Sequence, residues 1–233
     1  MPVVFRHYLS SEGARLAVVS EGSHHNFDTW LQWVFDHPVT DPAWYWNDKL
    51  LEPPPEVTVD YLTRLFCSPV SRLACYSDAQ VNQGLWFLCS NACSSHLDAF
   101  LDEDVPIHKR LHGVASIFDL YREVFATRCA SELSHGRNRT TNPLNSVCFM
   151  FWDIAPLLGT QGEQMRAAIL EVLRRISTLS HVACIESAIH GLGHASSCGY
   201  SEATEVLNDI ISSGVCPSDL LAYAHRAKDG DIE

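Results

Sequence analysis

The chain has 233 residues, 46% of them hydrophobic, and 28 acidic against 16 basic side chains give a net charge of −12. The length and apolar share suffice for one sizeable domain or two small ones with a genuine core. The acidic excess repels phosphate backbones, which argues against nucleic-acid binding, and it attracts basic partners. No stretch is long and apolar enough to span a bilayer, and Met1 to Tyr8 has no apolar signal core, so the expected setting is cytosolic.

Residues 1–22 alternate weakly (Val3, Phe5, His7, then Ala14, Leu16, Val18) and read as either a small hairpin or an arm. Phe27, Trp30, Leu31 and Val34 carry a helical period. A segment dense in aromatics follows, with Trp44, Tyr45 and Trp46 interleaved with Asp36, Asp41 and Asp48. Such a segment has two readings. It caps the open end of a helical stack, or it exposes aromatic hot spots whose acidic neighbours select a basic partner. Pro53-Pro54-Pro55 is extended and rigid, which places a boundary between an N-terminal capping segment (1–55) and a helical domain (56–233).

Beyond residue 57 the period is helical. Val57 to Cys67 forms one helix and Val70 with Leu73 a short second one. Ser77 and Gln80 make a capping box for a helix running through Val81, Leu85 and Leu88. Pro106 opens a helix in which Ile107, Leu111, Val114, Phe118, Tyr121 and Phe125 form one apolar stripe. Leu144 to Ile154 is apolar on all sides and reads as a central, buried helix. Four short amphipathic helices close the chain. Their inward faces are Met165 to Ile176, Val182 to Leu192, Ala203 to Ile211 and Leu220 to Ala224, with Ser201 and Ser218 as N-caps and Gly214 ending the third.

Short helices joined by short turns cannot each bury a stripe alone, so they must stack. The expected fold class is all-α: stacked antiparallel helix pairs, as a HEAT-like superhelix or an irregular bundle. The pair from His181 to Gly214, "VACIESAIHGLGHA" followed by "YSEATEVLNDIIS", resembles a HEAT-like repeat. The segments "YLTRLFCSPV", "YSDAQVNQGLWFL", "NPLNSVCFMFWDI", "ACIESAIHGLGHA" and "LLAYAHRAKDGDI" are similar to a group of uncharacterised bacterial proteins, over roughly residues 60–233. That resemblance implies a fold and a bacterial cytosolic setting and no activity.

Glu186, His190 and His194 recur at i, i+4 and i+8, on a face opposite Ile185, Ile189 and Leu192. Two histidines one turn apart can share a divalent metal, and a carboxylate one turn away can join them. The bland reading is that they pack and hydrogen-bond to a neighbouring helix, with Gly191 and Gly193 allowing close approach. Cys89, Cys93 and His96 could contribute to a zinc site, but no further pair completes it. In a reducing compartment most of the nine cysteines are expected in the core. A GxSxG elbow, a Walker A loop and a Rossmann GxGxxG are all lacking, so no cofactor beyond a divalent metal is indicated. The leading expectation is a non-catalytic, acidic module for protein–protein interaction with a basic partner, of adaptor or immunity type. The alternatives are a metal-dependent enzyme using Glu186, His190 and His194, and a small-ligand binder lined by Trp86, Phe149 and Trp152.

Overall fold

The computed structural model describes residues 26–46, 51–135, 142–160, 162–214 and 216–232. The possible hairpin of residues 1–22 and Asp48 lie outside them. Among the described residues the fold is all helical, with no strand. The main helices are α1 (Phe27–Phe35), α2 (Pro55–Cys67), α3 (Pro69–Leu73), α4 (Asp78–Cys89), α5 (Ile107–Leu120), α6 (Ala126–Arg128), α7 (Pro143–Ile154), α8 (Glu163–Ser177), α9 (Val182–Ser197), α10 (Ser201–Ser212) and α11 (Ser218–Lys228). One hydrophobic core runs through them from Phe27 on α1 to Ala227 on α11. None of them is long and apolar enough to cross a membrane.

Local chemistry sets the helix starts. The Asn26 side chain accepts from the Asp28 amide, and the Asn142 side chain accepts from the Leu144 amide. Ser77 and Gln80 form the expected capping box before α4. Ser201 and Ser218 instead stand inside their helices as first residues, after Tyr200 and Pro217. Their hydroxyls donate to the neighbouring carboxylates of Glu202 and Asp219 rather than serving as caps.

The stripe of α5 is buried from Val114 onward, but Leu111 is half-buried and Ile107 exposed. Both belong to the first turns, and Ile107 lines a surface cavity with Leu101, Arg110 and Met165. At its far end α5 widens into a π-helical turn, Tyr121–Phe125, which turns Tyr121, Val124 and Phe125 all inward. The Tyr121 hydroxyl then reaches the Cys148 carbonyl of α7 at 3.1 Å and Ser187 Oγ of α9 at 2.7 Å.

The central helix is α9, not α7. Every residue from Ala183 to Gly193 is buried, and α7, α8, α10 and α11 all pack around it. On α7 the residues Ser146 and Asp153 face solvent. Glycine allows the crowding on α9. A Cβ at Gly191 would lie 2.6 Å from Trp152 Cγ and 2.8 Å from Leu173 Cδ2, so α7 and α8 close directly onto its backbone.

Candidate metal centre

The centre of the candidate site is one turn of α9. His190 and His194 project toward α7, and their Nε2 atoms lie 3.2 Å apart. Asp153, near the end of α7, places Oδ1 3.2 Å from His194 Nε2. These three donor atoms all fall within 4.8 Å of one another, the single group of three His, Cys, Asp or Glu ligands found among the described residues. A metal about 2.0–2.1 Å from each ligand at tetrahedral angles separates ligand atoms by about 3.3–3.4 Å. The two edges at 3.2 Å are close to that spacing. Asp153 and His194 keep 36% and 26% of their side-chain surface, so one side of the group is open to water.

Burial governs the protonation of these imidazoles. His190 is depressed to about 3, first by burial and then by the neighbouring His194 and His135. His194 is also lowered by burial, against the opposing pull of Asp153. Both rings are therefore neutral at physiological pH, the form in which a nitrogen lone pair is available to a cation. Phe149 packs over His190 at 4.3 Å between ring centroids and shields that side of the ring.

A second layer lies behind His190. Its Nδ1 is 2.5 Å from the Tyr223 hydroxyl of α11. The Tyr223 phenol is pushed upward, first by burial and then by Glu186, so it stays protonated. The His135 ring stacks on Tyr223 at 4.4 Å with planes 4° apart. Glu186, fully buried, is where that layer ends. Its carboxylate accepts from the amides of Ser134 and His135 and, at 2.6 Å, from His135 Nδ1.

The structure thus brings together two of the three residues read from the i, i+4, i+8 spacing. Glu186 is occupied by the 134–135 segment, and Asp153 of α7 supplies the carboxylate beside the histidines. The physical reason is an unmet need in the core. Two backbone amides and an imidazole N–H require an acceptor, and a buried carboxylate satisfies all three. Asp153 did carry a sequence signal, as the lone charge in the apolar run Leu144 to Ile154. Tyr223 and His135 carried none, because only the tertiary fold brings residues 135, 186, 190 and 223 together.

The other sequence candidates are dispersed. His96 is spent on the core: the Trp30 indole N–H donates to its Nε2 at 3.2 Å, and its Nδ1 lies 3.0 Å from Ser94 Oγ. With that lone pair engaged and Cys89 buried, Cys89, Cys93 and His96 form no metal group. Trp44 is 6% exposed and sits between His37, stacked at 3.8 Å, and Phe87 at 4.9 Å. It covers the core and is not an available hot spot. Gln80 and Gln83 of α4 hold this segment by donating to the carbonyls of His37 and Pro38. Tyr45 is half-buried, Trp46 is 59% exposed, and Asp36 and Asp41 face solvent. Of the proposed ligand-pocket residues, Trp86 lines a groove with Tyr45 and Trp46, Phe149 covers His190, and Trp152 packs on Tyr121.

Comparison with known protein families, with curated proteins and with solved structures finds no match for this chain.

Proposed function

We propose that this chain is a metal-dependent protein, with Asp153, His190 and His194 as ligands of a single divalent first-row metal. The observation that carries this reading is the convergence of two imidazole nitrogens and a carboxylate oxygen within 4.8 Å of one another, two of the edges at 3.2 Å. Two histidines and one carboxylate suit zinc or ferrous iron. A closed structural zinc site takes four protein ligands, whereas three with an open side is the arrangement of a catalytic one. A metal held there supplies Lewis acidity toward a carbonyl or phosphoryl oxygen. The chain's own contribution is to fix the ligands on two packed helices and to exclude water from the Phe149 side. Calorimetric titration of metal-free protein with Zn2+ tests this. One ion per chain is expected, lost in His190→Ala and His194→Ala. Heats indistinguishable from buffer would refute it.

A second reading is an interaction module for a basic partner. It is favoured by one surface feature: Val39 and Trp46, two of the four exposed large hydrophobics among the described residues, line the same groove of about 410 Å3 with Asp41, Tyr45 and Trp86. Aromatic anchors beside a carboxylate suit a basic segment carrying an apolar side chain. Binding of such a partner should weaken as salt rises and should be lost in Trp46→Ala. Salt-independent binding, or unchanged binding by that variant, removes this reading.

A further inference from the structure

We infer that Tyr223 is a positioning residue for the metal site: it accepts the Nδ1 proton of His190, leaving Nε2 as the ligand atom, and the Glu186–His135 pair holds the phenol in place. The inference rests on the metal reading of Asp153, His190 and His194.

An imidazole binds a metal through its unprotonated nitrogen, and the other nitrogen carries the proton and needs an acceptor. His190 Nδ1 has one at 2.5 Å, the Tyr223 oxygen, on the side of the ring away from His194. With a metal on Nε2 the proton arrangement follows. His190 Nδ1–H donates to Tyr223. His190 Nε2 presents its lone pair toward His194 and Asp153. His194 Nε2 lies 3.2 Å from both His190 Nε2 and Asp153 Oδ1. The alternative tautomer would place a proton on His190 Nε2, where the metal must bind.

Tyr223 is itself over-determined. It is 2% exposed, and His135 covers one face of its ring in near-parallel stacking. His135 cannot swing away, because its Nδ1 and its backbone amide both donate to the Glu186 carboxylate, at 2.6 and 2.8 Å. Glu186 lies one helical turn before His190 on α9. The helix therefore carries both a ligand and the anchor of that ligand's outer shell. This gives Glu186 a place in the site without coordination, through the loop residue His135 and the α11 residue Tyr223.

Tyr223→Phe tests the assignment, since it keeps the ring, the stacking and the burial and deletes one oxygen. Zn2+ titration of the wild type and the variant should show affinity lowered about 10–100-fold, the usual effect of losing an outer-shell partner. The metal-free variant should stay folded, its thermal midpoint lowered by a few degrees through the lost buried hydrogen bond. Nitrogen-15 NMR of the Zn2+-loaded wild type should find the His190 proton on Nδ1, a readout that needs no variant. An Nε2–H tautomer there, or wild-type Zn2+ affinity in a folded Tyr223→Phe, overturns the positioning role while leaving the metal site standing. Failure of the wild type to bind Zn2+ overturns the site and the positioning role together.

Discussion

His96 and Glu186 are both buried and polar, and they meet different partners. His96 lies beneath the aromatic cover, receiving the Trp30 indole N–H at 3.2 Å, and its ring is lowered from the ordinary 6.5 to about 4 by burial, against a smaller upward pull from Glu52. The unfolded chain therefore binds a proton below pH about 6.5 that the folded chain refuses until about 4. Stability contributed by neutral His96 is complete above 6.5 and lost as pH falls through that window, on the order of 3 kcal/mol in all. Thermal unfolding between pH 7 and 4 should show a decline that is shallower in His96→Gln; parallel curves would contradict it. Glu186 is the opposite case, a carboxylate surrounded by donors. Glu186→Gln should lower stability by about 1.5–3 kcal/mol, as loss of hydrogen bonds to a buried charge does, yet leave one metal per chain. Chemical denaturation and metal titration of the same sample read both effects.

At the scale of the helices, close approach to α9 is the feature on which both core and site depend. Gly191→Ala would set a Cβ 2.6 Å from Trp152 Cγ, so α7 must move outward, at a cost of about 1–3 kcal/mol. Because Asp153 rides on α7, the same change should also weaken Zn2+ binding. A variant as stable as wild type would mean that the two helices are less tightly apposed. Much of this level is legible in the sequence. Apolar periodicity places the helices, the Ser77–Gln80 box starts α4, and the glycines of α9 allow close approach. Where the structure differs, another contact wins, local for the two serines and tertiary for the helices. Ser201 and Ser218 met carboxylates, the first turns of α5 opened onto a surface cavity, and α7 ceded the centre to α9. The histidine pair was legible because a helical turn brings i and i+4 together. Its carboxylate was not, because Glu186 and Asp153 compete for that role and only the packing of α7 and of the 134–135 segment decides between them.

For the molecule as a whole, the single core extends from α1 to α11 and takes in five of the nine cysteines, Cys89, Cys129, Cys148, Cys184 and Cys216. Cys67, Cys75 and Cys198 are exposed. A thiol reagent should therefore modify those three quickly in the native protein and the buried five only after denaturation, as mass spectrometry of the peptides would show. Early modification of Cys148 or Cys184 would mean that the core around α9 opens. The arrangement of that core brings Asp153 to the histidines, and the central claim is that these three residues bind one metal. Co2+ added to metal-free protein tests it most directly, because the visible absorption of bound Co2+ reports its ligands and their geometry. The account predicts a ligand-field spectrum saturating at one Co2+ per chain, abolished in His190→Ala and His194→Ala and reduced in Asp153→Asn. A spectrum no different from free aqueous Co2+ in the folded wild-type protein would contradict it.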